Sequence, residues 1–254
     1  MWFQKALELI RSFDGQAGLL VKNLSNGEVF VYQEDLPFPC ASIIKIPILL
    51  TLLDGCAAGK MNMDTVAAIT ADELTAGSGV LRLLSAGLAL TYRDYATLMI
   101  VLSDNTAANK LIADLGMDRI NAFCRGQGLI DTVLARKMMD AEARQQGRDN
   151  YTSCRDMLIL FELIRSETRY ETALSLLKEQ QLNDLLPLRI AENFVFAHKT
   201  GGLRGIRCDV GIMYLDVPVF VAFFSKGASR DNDAVRLANE IGLIIFEEYK
   251  KRRK

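Results

Sequence analysis

The 254-residue chain is poor in the residues that build metal centres and disulfide frameworks. It has one histidine and five cysteines, and no two cysteines are spaced as a CxxC pair. Structural zinc sites use four Cys or His ligands in clusters, so this composition argues against a zinc site, and no cofactor is predicted. An odd number of scattered thiols is typical of a reducing compartment. The five are Cys40, Cys56, Cys124, Cys154 and Cys208.

An excess of one charge and long apolar runs are also missing. The net charge is −1, so no general attraction to nucleic acid is expected. The basic run 250–254 is interpreted as a solvated helix end. The longest apolar run, Ile46 to Leu53, is far too short to span a bilayer. The first eight residues lack the pattern of a signal peptide. We expect a cytoplasmic protein without membrane or nucleic-acid partners, exported only if a leader was trimmed.

Strand patterns lie at both ends of the chain, and helical periodicity dominates the middle. Asn26-Gly27 between two apolar runs is a strong hairpin signal. Amphipathic helices are predicted over 2–13 and from Asp231, a candidate N-cap, to Tyr249. Strands are predicted over 17–23 and 28–33, and near 194–200, 207–215 and 218–225. We therefore expect an α+β fold in which both termini join in one antiparallel sheet and the helical middle is an insertion packed against it.

Ser42 and Lys45 form the first of three motifs that suggest a catalytic site. They are three residues apart, so on a helix they share one face. Pro47 is tolerated only near a helix start, which places Ser42 at the N-terminus, where free N–H groups favour an oxyanion. Burial among isoleucines lowers the pKa of a lysine, and the neutral amine can accept the serine proton. The alternative is that Ser42 is only an N-cap and Lys45 extends its amine to solvent.

The second motif, Ser103-Asp104-Asn105, separates an apolar helical stretch from another helix. In a catalytic interpretation, Ser103 relays a proton to the leaving nitrogen and Asn105 hydrogen-bonds a substrate amide. Asp104 is expected to brace the loop. The alternative is that the three polar residues only cap the second helix.

The third motif, Lys199-Thr200-Gly201-Gly202, ends a predicted strand. Gly201 and Gly202 allow a substrate backbone to approach as an added strand does. Lys199 offers a cation for a substrate carboxylate and Thr200 a hydroxyl. The N–H of Gly202 is expected to pair with that of Ser42 as an oxyanion hole.

His198, the only histidine, is not expected to be catalytic. Side chains alternate along a strand, so His198 points away from the face that Lys199 occupies. The chain also has no GxSxG nucleophile elbow. A structural role for this histidine is therefore expected.

In this order, the three motifs resemble the class A β-lactamase and penicillin-recognising serine hydrolase family. The stretches Leu90–Asp94 and Thr106-Ala107-Ala108-Asn109 are similar to that family, and the likeness covers nearly the whole chain. It implies an α/β sandwich domain with a five-stranded antiparallel sheet (1–51 and 191–254), an inserted all-helical domain (52–190) and an active site at their interface. It also implies roles for the motif residues: Ser42 as the acylated nucleophile, with Lys45, Ser103 and Lys199 as catalytic partners, and Arg207 as an anchor for a substrate carboxylate.

The resemblance fails at one position that matters for turnover. Class A enzymes carry a loop of the form L-x-R-x-E-x-x-x-N, whose Glu activates the deacylating water. The nearest match begins at Leu134 and places Met138 at the Glu position and Glu142 at the Asn position. A thioether cannot abstract a proton. Glu142 lies one helical turn further along and is the candidate base for the same water. The alternative is that Asp140, Glu142 and Arg144 form a solvated polar face.

The leading hypothesis is a serine hydrolase that opens β-lactam amides through a Ser42 acyl-enzyme, with deacylation slowed by Met138. Its substrate is a small molecule that carries a carboxylate: a β-lactam, peptide or ester. The first alternative is a penicillin-binding or DD-peptidase-like protein, or a cytosolic esterase, with little β-lactamase turnover. The second alternative is a non-catalytic scaffold that uses the fold for protein contacts.

Overall fold

One five-stranded antiparallel sheet, made from both ends of the chain, organises the molecule. The structure is a computed structural model that describes residues 2–250, so residues 251–254 of the basic run lie outside the described part. In chain order, the strands are β1 (Gln16–Asn23), β2 (Val29–Tyr32), β3 (Phe38–Pro39), β4 (Val66–Ala68), β5 (Ala89–Thr91), β6 (Tyr151–Thr152), β7 (Val195–Leu203), β8 (Ile206–Tyr214) and β9 (Pro218–Lys226). The large sheet has the order β2-β1-β9-β8-β7.

The helices lie before, between and after these strands. They are α1 (Trp2–Ser12), α2 (Lys45–Ala57), α3 (Tyr92–Val101), α4 (Asn105–Leu115), α5 (Met117–Gly126), α6 (Ala141–Gln145), α7 (Cys154–Ser166), α8 (Glu171–Lys178) and α9 (Asp231–Tyr249). Four 3₁₀ turns, Ala41–Ile44, Ala71–Glu73, Leu81–Leu83 and Thr168–Tyr170, complete the elements. Within residues 2–250, no helix combines the length and apolar character needed to cross a membrane.

Both faces of the large sheet are covered, which explains why its central strands are almost continuously apolar. Alternate residues of β1 enter different cores: Leu20 packs with the helices of the middle segment, whereas Leu19 and Val21 pack with α1 and α9. This follows from the two-residue period of a strand. The two cores lie on opposite sides of the sheet, and the α+β sandwich expected from the sequence is confirmed.

The structure differs from the sequence predictions in two details. The middle segment is not wholly helical, because β4 pairs with β5, and β6 pairs with β3. The predicted domain boundaries at 51 and 190 stay predictions; helix α2 runs across position 51. Asp231 is not an N-cap: Arg230 occupies the N-cap position without a side-chain cap, and Asp231 is the first residue of α9.

Candidate active site

Ser42 lies in the 3₁₀ turn Ala41–Ile44, which leads directly into α2. The predicted helix start near Ser42 is therefore a 3₁₀ turn, and the α-helix proper begins at Lys45. Pro47 falls in the first turn of α2, where its missing N–H removes no hydrogen bond. Ala41 has a φ of 46°, in the left-handed region that disfavours residues other than glycine. A strained residue thus stands immediately before Ser42, the predicted nucleophile.

Gly201 brings strand β7 against this turn. A Cβ atom at Gly201 would lie 2.9 Å from the carbonyl oxygen of Cys40 and 3.1 Å from the backbone nitrogen of Ser42, so no larger residue fits without movement. Gly202 is exposed, and a Cβ there would approach nothing nearer than 3.6 Å, at the Arg207 guanidinium. The close contact at Gly201 sets the separation between β7 and the first N–H groups of the 3₁₀ turn.

The amine of Lys45 lies at the centre of the site. Its Nζ is 3.1 Å from Oγ of Ser42, 3.1 Å from Oγ of Ser103 and 2.6 Å from the carbonyl oxygen of Ser103. It also lies 2.8 Å from Oδ1 of Asn105. The sequence-predicted pair and the second motif therefore meet at one nitrogen atom.

This arrangement suits a neutral Lys45. The carbonyl oxygen of Ser103 and Oδ1 of Asn105 can only accept, so they use two N–H groups of the amine. A neutral amine then has its lone pair free to accept a hydroxyl proton. Complete burial lowers the pKa of Lys45 well below its ordinary value, the charge of Lys199 lowers it further, and Asp104 opposes both effects. Lys45 can therefore act as a base toward Ser42.

Lys199 extends the same network from the other side. Its Nζ donates to Oγ of Ser103 at 3.0 Å and to the carbonyl oxygen of Thr200 at 2.8 Å. Burial lowers the pKa of Lys199 to about 7, while Asp209 and Asp184 act in the opposite direction. Ser103, held at a φ of 55°, thus links the two lysines through one hydroxyl group.

The other two residues of the second motif hold the site in shape. Asp104 accepts hydrogen bonds from the backbone N–H groups of Val80 and Leu81, and it caps α4 through the N–H of Ala107. This brace matches the role expected for Asp104. The Asn105 side chain donates to the carbonyl oxygen of Ala76 at 2.9 Å, which directs its Oδ1 toward Lys45. Its predicted contact with a substrate amide stays a prediction.

Ser42 opens into two cavities. The first, about 270 Å³ in volume, is called the loop cavity because residues of the 134–150 segment line one side of it. The second, about 370 Å³, lies beside β7 and is called the strand cavity. Four residues line both: Ser42, Ser78, Gly202 and Leu203. A substrate bound across Ser42 would extend into both spaces.

The strand cavity contains the predicted binding residues Thr200, Gly201, Gly202 and Arg207. The Arg207 guanidinium donates to the carbonyl oxygens of Leu203 and Ile206, at 2.6 and 2.7 Å, and is paired with Asp231 at 3.3 Å. Arg207 is therefore close to the site, but internal partners share its charge. Its role as a carboxylate anchor stays a prediction.

The 134–150 segment forms the wall opposite β7, and it is fixed by buried polar groups. Arg136 pairs with Asp149 at 2.7 Å. The side-chain oxygen of Asn150 accepts from the N–H groups of Ala135 and Arg136. Met138 is 7% exposed and lines the loop cavity.

Glu142 is not placed in this cavity. Its side chain is exposed, its Oε1 accepts from Gln146 at 3.2 Å, and it lines neither cavity at Ser42. The expectation that i and i+4 share a face fails because α6 begins only at Ala141, three residues after Met138. Asp140, interpreted from the sequence as part of a solvated face, lines the loop cavity instead.

His198 lies away from Ser42, as strand alternation predicted. Its Nδ1 is 2.7 Å from Asp209 and its Nε2 is 2.9 Å from Asn183, and its ring stacks on Phe196. His198 and Asp209 are almost completely buried, and the contact of His198 with Asn183 links the segment before β7 to the sheet.

Sequence reasoning missed three residues that shape the site: Ser78, Asp149 and Asn150. Ser78 stands in the Gly77-Ser78-Gly79 turn, and its carbonyl oxygen accepts from the N–H of Asn105 at 3.0 Å. The glycines on both sides were the only signal for this turn. Asp149 and Asn150 lie 13 and 14 positions from Arg136, which is too far for any local pattern to pair them.

Comparison with known proteins agrees with this geometry. The family model described as the β-lactamase enzyme family matches residues 3–249. The chain belongs to the β-lactamase enzyme family. It is 25% identical to β-lactamase CARB-3 of Pseudomonas aeruginosa, with 96% of this chain and 88% of the relative covered. It is 27% identical to a β-lactamase of Streptomyces fradiae, with 93% and 84% covered.

Solved structures show the same fold. A β-lactamase from Sphaerobacter thermophilus superposes with a TM-score of 0.88 at 26% identity, covering 97% of this chain and 96% of the other. A leucine-to-glutamate mutant of PBP-A, solved as an acyl-enzyme complex with penicillin G, also gives 0.88 at 26% identity, covering 98% and 96%. The resemblance seen in the three motifs is confirmed, and the chain is a serine hydrolase of the β-lactamase type.

Proposed function

We propose that this β-lactamase family member opens β-lactams, or similar amides and esters that carry a carboxylate, through an acyl-enzyme on Oγ of Ser42. The observation that carries the proposal is the continuous chain of contacts from Ser42 through Lys45 and Ser103 to Lys199, each link between 3.0 and 3.1 Å. A base beside a nucleophile, with a third group oriented by the base, is the general geometry of activated serine catalysis.

In the acylation step, neutral Lys45 takes the proton of Ser42 while Oγ attacks the carbonyl carbon. The N–H groups of Ser42 and Gly202 donate to the oxygen, on which negative charge develops. The C–N bond then breaks. The leaving nitrogen receives a proton that passes from Lys45 through the hydroxyl of Ser103. Lys199 and Thr200, beside the strand cavity, attract the substrate carboxylate.

Deacylation is proposed to be the slow half of the reaction. The acyl-enzyme ester needs a water molecule and a base to remove its proton. Met138 supplies no base, and Glu142 faces solvent. We therefore expect acylation to outpace hydrolysis.

A second candidate function follows from Met138, which supplies no base for deacylation. If no group activates water, the molecule binds penicillin covalently and turns over little, as a penicillin-binding protein or a cytosolic esterase would. The fold likeness to PBP-A is compatible with this alternative.

The experiment that tests the proposal follows a chromogenic cephalosporin and a penicillin by absorbance and by intact mass, with Ser42→Ala as the control. A burst of one equivalent, an adduct on Ser42 and a slower steady phase are expected. One equivalent followed by a permanent adduct would favour the second candidate. Labelling that survives in Ser42→Ala, or its absence in the unaltered protein, would contradict the acyl-enzyme proposal.

We also propose a cytoplasmic location, which rests on the cysteines. All five are free thiols in the structure, and free thiols persist in reducing compartments. Fractionation of the source cells, with marker proteins for each compartment, checks this. Recovery outside the cytoplasm would contradict it.

A further inference from the structure

We infer that Asp140 is the carboxylate that activates the water that hydrolyses the Ser42 acyl-enzyme. The inference rests on the proposed function, because it concerns the second half of the same reaction. It assigns a catalytic role to a residue that the sequence pattern placed on a solvated face.

The first support is the position of Asp140. Among the described residues that line the loop cavity, it is the only carboxylate, and Ser42 lines the same space. The strand cavity also has carboxylates, Asp184 and Asp231. Thr200 lines that cavity, where the carboxylate of the acyl group is expected. The loop cavity is therefore the side from which water approaches the ester.

The second support is the orientation of the carboxylate. Oδ1 of Asp140 accepts from the backbone N–H of Ala143 at 2.9 Å, which caps α6 and fixes the plane of the group. None of the hydrogen bonds found among residues 2–250 uses Oδ2. One oxygen atom is thus held, and the other is available to a water molecule.

The third support is the backbone that presents Asp140. Met139 adopts a φ of 61°, in the left-handed region, so the chain turns sharply between the buried side chain of Met138 and Asp140. The side chain of Asn109 holds Met138 at both its N–H and its carbonyl group. Strained residues persist where the surroundings impose them, and they cluster at functional sites.

The other candidate bases are buried or already paired. Lys45 is completely buried and lines neither cavity at Ser42. Oδ1 of Asp231 accepts from Gly205, and Oδ2 pairs with Arg207.

The water oxygen bonds to the ester carbonyl carbon, and one water proton passes to Oδ2 of Asp140. The tetrahedral intermediate collapses with cleavage of the bond between the carbonyl carbon and Oγ of Ser42. Oγ regains a proton from Asp140 by way of the amine of Lys45. The products are a carboxylic acid and the free serine.

The experiment measures acylation and deacylation separately, by stopped-flow absorbance and intact mass with a penicillin, on four proteins. These are the unaltered enzyme, Asp140→Asn, Glu142→Gln and Asp184→Asn. Asparagine is as good an N-cap as aspartate, so Asp140→Asn keeps α6 capped and removes only the base. Deacylation of Asp140→Asn is expected to fall by about 100-fold, the lower part of the range for a general base, with acylation unchanged.

Each other outcome overturns the inference. If Asp140→Asn deacylates at the unaltered rate, or if its acylation and deacylation rates fall equally, Asp140 is not the general base. A selective loss in Glu142→Gln or Asp184→Asn assigns the water to that carboxylate. An unaltered enzyme that acylates and never deacylates has no water-activating group. An unaltered enzyme that never acylates refutes the proposed function itself, which distinguishes the two failures.

Discussion

The amide side chain of Asn109 forms hydrogen bonds with both the N–H and the carbonyl group of Met138. Its Oδ1 accepts from the N–H of Met138 at 2.7 Å, and its Nδ2 donates to the carbonyl oxygen of Met138 at 3.1 Å. The backbone at this position is therefore fixed independently of its side chain. A change at residue 138 would alter the chemistry of the loop cavity without moving the loop.

Met138→Glu is expected to accelerate deacylation, because it adds a second carboxylate base to the loop cavity, at a position closer to the buried side of the cavity than Asp140. Acylation should change little, since none of the hydrogen bonds found at Lys45 involves Met138. Pre-steady-state absorbance separates the two rates. Met138→Gln has a similar side-chain size and no basic group, so it serves as the matched control. Equal acceleration in Met138→Gln would show that packing, not base chemistry, limits hydrolysis.

Lys45→Met should lower the acylation rate by about 10² to 10⁴, because it removes the group that accepts the serine proton. Methionine fills a similar volume and carries no charge to bury. The rate of adduct formation on Ser42, measured by mass, gives the result. Lys22→Met, in a lysine that pairs with Glu162 far from the site, is the control. Normal acylation in Lys45→Met would leave Ser42 activated by some other group.

Gly201→Ala and Gly202→Ala are expected to differ although they are neighbours. The methyl group at Gly201 would push against the backbone of Cys40 and Ser42 and would displace an oxyanion donor, at a cost of about 10² in acylation rate. Gly202→Ala keeps its N–H and meets no close atom, so its loss should be much smaller. Burst kinetics of both variants decide this. A greater loss in Gly202→Ala would mean that substrate contact, not the close approach of β7, requires the glycines.

The stability of the enzyme should rise with pH above about 7 through Lys199. Its folded pKa is about 7 and its ordinary value is 10.5, so between these values the unfolded chain binds more protons than the folded one. Stability then increases with pH, by up to about 1.4 kcal/mol per pH unit, and this gain is lost progressively as the pH falls from about 10.5 to about 7.

Lys199→Met removes this titration. Denaturant unfolding at several pH values should show the unfolding free energy of the unaltered enzyme rising relative to that of Lys199→Met from pH 7 toward pH 10. The same comparison with Lys22→Met should show no such growth. A difference that stays constant with pH would mean that Lys199 remains charged when buried.

Much of the fold was predictable because its signals are local. The Asn26-Gly27 turn, the strand alternation and the amphipathic pattern of α9 each involve residues within one element, and these elements occur where they were predicted. The error at Asp231 has a non-local cause. Asp231 was taken for an N-cap, but its carboxylate binds Gly205 of the β7–β8 turn. The capping preferences of neighbouring residues cannot predict this hydrogen bond, because Gly205 and Asp231 are 26 positions apart.

The candidate site was predictable in its residue types and only partly in its geometry. Ser42 and Lys45 were paired correctly because three positions on a helical turn place them side by side. Glu142 was paired with Met138 on the assumption of a continuous helical turn, and the left-handed backbone at Met139 breaks that turn. Because of the backbone conformation of Met139, Asp140 lines the loop cavity and Glu142 does not.

The sequence by itself determined the order of the long strands and terminal helices at the two ends of the chain, the candidate nucleophile at a helix start and the absence of a base at position 138. These depend on side-chain type and on spacings of a few residues. Only the tertiary structure decided that Ser103, 58 positions from Lys45 and 96 from Lys199, joins both lysines, and that Asp140 faces the nucleophile's cavity. Contacts of this kind depend on how distant segments pack, because burial and hydrogen bonding are set by neighbours in space and not along the chain.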